Sequence, residues 1–523
     1  MTRIQFQAPE YQADGSFVDA RYEYEGDETS GWILRRNDEE FDRLGPGYTP
    51  VESMYCGVCS TDLARRFLPY PLPQVIGHEV VGTRNGQPVV VEINASHQAR
   101  GIAAENDPYN SNMHPHDPRR ITLGIDRLPG GFAPVLLAPI HAILPVPPAV
   151  DPLVASLTEP FAAALQGVEA THPRPGDRVA VLGPRRLGSL IIAALAGFRK
   201  KSGIDFEIIA VARHQHLLDL CLELGADSGL NLAEEDAASH RHSFDIVYDT
   251  TGKPEGFAVA LELTRRVLHL KSTNGQTVMG LQYLTDMVVD EIALIPAEPE
   301  NLQYAWPLEK AAHANSGTKA NANEPPRANV NVFVAPGVSD EDLKRLQAAS
   351  QSTRSPQRFH RIDPAVVLKA MQAAGETDRS NSEPRVNPDA ARRPEFFDGS
   401  PYPRFDLAVA SSLAEVDQIV RPVPGQEFSM LRARGAVLLT KSPDGSYDSP
   451  LHAAVADRGI EIHTSRCGNF ERALEILADN PTIAGALQKH LITHRYGLDE
   501  IRTAFETAAD SAKSVKVIVE TSR

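Results

Sequence analysis

Cysteine is scarce in this sequence. The 523 residues contain only Cys56, Cys59, Cys221 and Cys467, which excludes a disulfide framework at this length and leaves the close pair Cys56/Cys59 to be read as chemistry. Positive charge is short as well: 52 Lys and Arg stand against 68 Asp and Glu, a formal net charge of −16, with the acidic residues scattered along the chain. No basic face is left to hold a phosphate backbone, so nucleic acid is excluded as a partner. No apolar run approaches the length of a bilayer span, and the opening MTRIQFQAPEYQADG lacks the basic, apolar and small-residue order of a secretory signal. The expected setting is the cytoplasm, with no membrane partner. What is present, 42% hydrophobic and 23% charged residues, is the balance of a globular protein. At roughly 100–200 residues per domain the length suggests about three units, or two and an insertion.

Up to about Pro148 the chain reads as short β-branched runs broken by Gly and Pro, such as QPVVVEI at 87–93 and FAPVLLA at 132–138, which predicts a β-rich first domain. From Pro175 the texture changes. RVAVLG at 178–183 and FEIIAVA at 206–212 read as buried strands, while LGSLIIAALAG at 187–197 and LLDLCLELGA at 217–226 read as helices. Strand, helix, strand, helix predicts a parallel sheet with right-handed crossovers, continued by FDIVYDTTG at 244–252, RRVLHLKST at 265–273 and DEIALI at 290–295.

Between about Pro296 and Arg404 the composition shifts to Ala, Asn, Ser, Pro and charge, with linker-like stretches at 321–329 and 379–404. They flank NVNVFVAPG at 329–337 and DEDLKRLQAAS at 340–350, a strand and a helix. FDLAVASS at 405–412, GAVLLTKS at 435–442 and GIEIHTSRCG at 459–468 then echo the order FDIVYDTT, VLHLKST, EIALI. Either the second half of the sheet is partly duplicated, or two unrelated βαβ units share the apolar strands such units require.

The sharpest segment is MYCGVCSTDLARRF at 54–67, followed by PQVIGHEVVG at 73–82. Thiolate and imidazole are preferred zinc ligands, and a catalytic zinc keeps three protein ligands and one open position. Cys59 and His78 are two candidates. A zinc ribbon would need a second Cys-x-x-Cys pair, which the chain lacks, and a redox pair would start a helix after a strand. Further on, RPGDRVAVLGPRRLGSLIIAAL at 174–195 runs from a strand through a glycine turn into a helix whose N-terminus suits a pyrophosphate. Gly183 and Gly188 hold the outer positions of the dinucleotide fingerprint, with Leu187 leading into the helix. Arg185 replaces the middle glycine, where it either contacts phosphate or fills its space. The next strand ends in Ala212-Arg213-His214. With no carboxylate there and Arg213 able to grip a 2′-phosphate, NADP is preferred and NAD is possible.

With these motifs the sequence resembles the zinc-containing medium-chain alcohol, polyol and threonine dehydrogenases, over both ends of the chain and excluding the insertion. The resemblance implies an α/β protein: a β-rich GroES-like catalytic domain plus a Rossmann doubly wound parallel sheet that carries an insertion. It implies Cys59 as a zinc ligand with Cys56 a packed neighbour, and Asp62 accepting the imidazole N–H of His78 to fix its tautomer. Glu79 matches the glutamate by or on the metal, and Glu159, in LTEPFAAALQG at 157–167, matches the Glu-Pro segment of the polyol branch. Thr61 takes the proton of the substrate hydroxyl, with Glu79 as another exit route, since Ala64 replaces the histidine that serves some relatives. The substrate is a small secondary alcohol or its ketone, of polyol, sugar or amino-alcohol type.

The resemblance divides the chain at 1–168 (catalytic domain), 169–295 (cofactor domain, first part), 296–404 (insertion), 405–468 (Rossmann-like continuation or partial repeat) and 469–523 (return to the catalytic domain). The region 94–134, where relatives carry four cysteines for a structural zinc, has none, so a single catalytic Zn2+ is expected. His97, His114, His116 and Asp117 in that loop offer another metal set, or simply a polar loop. A homodimer or homotetramer is the expected assembly. Two rival readings remain: a non-catalytic protein of this fold with a partner-binding insertion, and a zinc-free NADPH reductase, which the intact Cys59, Asp62, His78 and Glu79 argue against.

Overall fold

The computed structural model describes residues 2–68, 70–95, 116, 120–272, 275–304, 330–353, 356–373, 405–422, 429–447, 449–510 and 513–522. The linker-like stretches at 321–329 and 379–404, and His97, His114 and Asp117, lie outside them. The chain opens with β1 (Thr2–Tyr11), β2 (Phe17–Asp27), β3 (Gly31–Arg36) and β4 (Glu39–Leu44), an antiparallel sheet in sequential order. Tyr22, Tyr24, Trp32 and Leu34 alternate inward from it and are buried, as a half-covered sheet requires.

A seven-stranded sheet follows, built from β5 (Tyr48–Gly57), β6 (Glu79–Arg84), β7 (Gln87–Val91), β11 (Val135–Pro139) and β12 (Ile143–Pro145), with β24 (Ile492–Gly497) and β25 (Lys516–Glu520) from the far end of the chain. Between β7 and β11 lie the short strands β8 (Asn94–Ala95), β9 (Ile121–Leu123) and β10 (Arg127–Leu128). β25 pairs with β5, setting Val519 opposite Cys56 and Ile518 opposite Gly57. The chain thus closes against its own metal-motif strand.

The eleven-stranded sheet contains β13 (Arg178–Leu182), β14 (Glu207–Ala212), β15 (Ser228–Asn231), β16 (Phe244–Asp249), β17 (Thr264–Leu270), β18 (Ala293–Pro296), β19 (Val330–Val334), β20 (Gln357–His360), β21 (Phe405–Ala410), β22 (Leu431–Leu439) and β23 (Glu461–Thr464). Their spatial order is β15-β14-β13-β16-β17-β23-β18-β22-β21-β19-β20. Strands such as RVAVL and FDIVYD are apolar almost throughout because helices cover both faces of the sheet, leaving no wet side to select polar residues. Helix Arg186–Ser202 ends at Gly203 in the left-handed region (φ 69), with Arg199, Lys200 and Lys201 in its last turn, where cations meet the negative end of the helix dipole.

DEIALI continues the sheet as expected, as β18, but it is not the neighbour of β17. β23 takes that place, and β18 lies beyond it. The ends of β17 and β23 are tied together by Lys271 Nζ, which donates to Ser465 Oγ (2.7 Å) and the Arg466 carbonyl (2.8 Å), and by His269 Nε2 at 2.9 Å from Ser465 Oγ.

Candidate active site

β5 and β6 deliver the metal-motif residues to one point. Gly57, the last residue of β5, faces Glu79 across the ladder, and a Cβ there would collide with Glu79 Oε2. The glycine of Cys-Gly-Val-Cys is thereby explained as room for a carboxylate. Cys59 then caps the short helix Ser60–Leu63, its backbone N–H donating to Asp62 Oδ2 at 2.8 Å. Cys56 points the other way into the core and is fully buried, against Gly77 and Phe132.

Cys59, His78 and Glu79 form the one group among the described residues whose donor atoms, thiol, imidazole and carboxylate, all lie within 4.8 Å of one another. His78 and Glu79 are buried and Cys59 is half-buried. Asp62 Oδ1 stands 3.3 Å from His78 Nδ1. That contact falls short of a formed hydrogen bond, so both atoms are buried without a hydrogen-bond partner, while Glu79 Oε2 is buried against the ammonium of Lys516. A donor set of this chemistry at this spacing fits a zinc ion, whose tetrahedral ligands stand about 3.3–3.8 Å apart at ordinary bond lengths. Burial disfavours the charged imidazole, yet Asp62 and Cys59 carry the pKa of His78 well above its usual value.

Glu159 stands outside that trio, at the start of helix Thr158–Thr171. Its carboxyl is pushed up to about 7, first by burial, with the charge of His78 opposing and that of Glu79 adding to the shift. Thr61 is half-buried on the short helix, two residues from Cys59.

Several residues near the site carried no motif. Lys516, on β25, forms an ion pair with Glu79 and donates to the Val58 carbonyl at 3.0 Å. Burial opposes its charge, but Glu79 and Cys59 hold its pKa above the ordinary lysine value. Its only trace in the sequence is a lysine at an inward position of SVKVIVE. Glu92, just after β7, is buried with Oε2 unpartnered, and burial pushes it up to about 7 against the hydrogen bonds from Asn94. Lys271 is buried at the carboxyl end of β17, and burial brings it down to about 8, with Glu291, Cys467 and Glu159 opposing. Ligands of parallel sheets bind at such strand ends, so Lys271 was findable by its position.

The dinucleotide crevice lies across from this cluster. Gly183 turns out of β13 with φ 77, where its N–H reaches the Val211 carbonyl (3.0 Å), and a Cβ on Gly188 would stand 2.8 Å from Thr250 Oγ1. No side chain caps helix Arg186–Ser202, so its first N–H groups face the crevice. Arg185, at the cap, and Arg213, past the end of β14, are both exposed, and Leu187 is half-buried. Arg186 is held by the Ala508 carbonyl, and the charges of Cys59 and Glu79 reach its guanidinium, although burial and Arg185 lower its pKa overall. The start of the helix that opens the crevice is therefore within electrostatic reach of Cys59 and Glu79.

His116 Nε2 lies 2.8 Å from Glu291 Oε2, so this histidine is engaged in a hydrogen bond to a buried carboxylate, and burial lowers its pKa. Among the described residues no helix is long and apolar enough to cross a membrane.

A parallel sheet with a glycine turn beside a buried zinc-type ligand set defines the class of nicotinamide-dependent oxidoreductases with a metal at the reacting centre. No family model matches the chain. A protein named probable alcohol dehydrogenase from Mycobacterium tuberculosis is 31% identical over 257 residues, covering 43% of this chain and 68% of the relative. The (R,R)-butanediol dehydrogenase of Bacillus subtilis is 27% identical over 263 residues, 44% of this chain and 71% of the relative. A protein assigned as a zinc-binding dehydrogenase from Sinorhizobium meliloti 1021, crystallised with NADP, shares the fold, with a TM-score of 0.50, 15% identity and 99% of each chain covered. The chain belongs to the zinc-containing medium-chain alcohol dehydrogenase family.

Proposed function

We propose that the protein transfers hydride between a small secondary alcohol of polyol, sugar or amino-alcohol type and a nicotinamide dinucleotide, with NADP preferred, at a single catalytic zinc site. The convergence of Cys59, His78 and Glu79 within 4.8 Å carries this reading. Cys59, His78 and one of Glu79 and Glu159 hold the metal. Zinc there supplies Lewis acidity, which makes loss of a hydroxyl proton feasible near neutral pH.

The chain's own residues do the rest. Asp62 orients His78 and fixes which ring nitrogen faces the cluster. Lys516 holds Glu79 and offsets part of the negative charge that Cys59, Glu79 and Glu159 would otherwise concentrate. Thr61 takes the substrate hydroxyl proton and passes it on through the cofactor ribose or water. A nicotinamide dinucleotide bound here would supply the hydride acceptor; the helix N-terminus at Arg186–Gly188 would hold its pyrophosphate and Arg213 its 2′-phosphate. Catalysis in the cytoplasm on free small molecules is the setting this chemistry fits.

The test is a titration of purified protein with NADPH and NADH, followed by fluorescence, with metal content measured on the same sample. Binding of NADPH in preference to NADH with about one zinc per chain is the expected outcome. A chain that binds neither dinucleotide is a non-catalytic member of the family, with Arg185 filling the phosphate site.

A further inference from the structure

The eleven-stranded sheet is built from two units that correspond element by element, β14–β18 and β19–β23. Each runs from a strand through a helix to an outer strand, returns to two neighbouring strands, and ends in a helix and a short final strand. The correspondence reaches single residues. Phe244-Asp245 opens β16 and Phe405-Asp406 opens β21, and the ladder to the next strand slips at the same point, between Phe244 and Ile246 and between Phe405 and Leu407. Asp245 accepts the backbone N–H of Arg178 (2.9 Å) from one neighbouring strand and pairs with Arg265 on the other. Asp406 accepts the N–H of Asn331 (2.8 Å) and lies 3.6 Å from Arg432. Each final strand follows a left-handed residue, Glu291 (φ 55) or Gly459 (φ 70), and a buried isoleucine, Ile292 or Ile460.

The final strands have changed places. β18, from the first unit, runs parallel to β22 of the second, and β23, from the second, runs parallel to β17 of the first. The registers match: Leu268 faces Ile462 in one pair and Val437 faces Leu294 in the other. Where the two final strands meet they are antiparallel, and the bridge joins Leu294 to Ile462, which hold the same position in their units. Like paired with like is what a two-fold axis imposes on an isologous interface. Here that interface lies inside one chain.

Without the second unit, the first unit would end in an open strand edge with a row of unpaired N–H and C=O groups, a template for a second copy of the protein. The second unit also reaches the cleft. Arg434, beside β18 on β22, donates to Glu291 Oε2 (2.7 Å), and Glu291 Oε1 accepts the N–H of Arg466 (2.7 Å), next to Cys467 and Lys271. Among the described residues this unit has no counterpart of β13 and its glycine turn. Where that turn would stand, the carboxylate of Glu415 accepts the N–H groups of Gly337 (2.6 Å) and Ser411 (2.8 Å), on the wall of a cavity of about 310 Å³ that Thr440, Lys441 and His452 also line.

From this we infer that the second unit is a degenerate, strand-exchanged copy of the cofactor half-sheet that takes, within one chain, the place of a partner subunit at the sheet edge. The protein is then a one-chain particle with one dinucleotide crevice, in place of the homodimer or homotetramer expected from the family. This inference rests on the sheet and is independent of the proposed activity.

Sedimentation of the full-length protein from nanomolar to micromolar concentration tests it. The expected result is the mass of one chain throughout, and a two-chain or larger particle in that range overturns it. A full-length Leu294→Cys/Ile462→Cys variant probes the seam itself. Facing antiparallel residues have Cα atoms about 4.5–5.5 Å apart, within the range a disulfide spans. After oxidation the cross-linked product is expected to migrate as one chain. A covalent two-chain product, or folded protein without a cross-link, overturns the inference. If the paired variant does not fold, the wild-type mass decides alone.

Discussion

The two halves of the large sheet share strands, helices, ladder slips and capping acids, yet they differ in what stands at the carboxyl ends of their strands. In the half that holds β13, a glycine turn and an uncapped helix leave backbone N–H groups facing a crevice, and buried charges gather across from it. In the other half the same kind of N–H groups are already bound by Glu415, and Ser339 and Ser412 cap the helices that begin there. Strand order alone therefore does not make a binding site. The difference between the halves is whether the backbone N–H groups at these ends are left for a ligand or satisfied by the chain's own side chains.

The sharpest way to break this contrast is to remove a metal ligand on one side and the Glu415 carboxylate on the other. Cys59→Ser is expected to abolish zinc retention and lower dehydrogenase turnover on the order of a thousandfold, the loss of several kcal/mol of charge stabilisation. Glu415→Gln is expected to leave turnover unchanged. Metal analysis and steady-state kinetics on both variants decide, and equal losses would erase the functional division between the halves.

Next comes the cost of burying acids near the working crevice. Glu92, pushed up to about 7 by burial, holds a proton that the unfolded chain releases near 4.5. The folded state binds more protons over that interval, so this group makes stability fall as pH rises from about 4.5 to 7, and the loss is complete above 7. Glu92→Gln is expected to remove that slope and to raise stability at pH 8 by up to about 3 kcal/mol, read from denaturant unfolding at several pH values. A variant with an unchanged slope would place the titration elsewhere.

Arg213→Asp is a smaller change. It exchanges a phosphate-gripping cation for a carboxylate and is expected to shift the ratio of NADPH to NADH affinity by roughly 10–100-fold toward NADH, with metal content unchanged. The smallest effect tests the repeat. Asp245→Ala and Asp406→Ala each strand a backbone N–H and uncouple a partly exposed arginine, and each is expected to lower stability by about 1–2 kcal/mol. Closely matched losses in thermal unfolding would sharpen the correspondence, and a loss in only one would weaken it.

Much of this architecture is legible in the chain. Buried strands such as RVAVL, EIIAVA and FDLAVA announce themselves by apolar runs of the right length, and DEDLKRLQAAS at 340–350 is a helix over just those residues, begun by the Ser339 cap. Cys59, His78 and Glu79 are visible because their spacing around Gly57 and Gly77 is local, set within two adjoining strands. Lys516 is not visible, since it lies 437 residues from Glu79 in sequence and meets it only when β25 closes on β5. Glu92 and Lys271 are hidden for a related reason: nothing in their own segments states that the surroundings will be dry.

The sequence by itself determined the element types, the class of fold and the ligand chemistry, because hydrophobic period, turn residues and donor type are written in short stretches. Only the tertiary structure decided which strand lies beside which. β18 and β23 have comparable apolar character, and either could pair with β17. In the folded protein β23 takes that place, and the tie from Lys271 to Ser465 joins its end to that of β17.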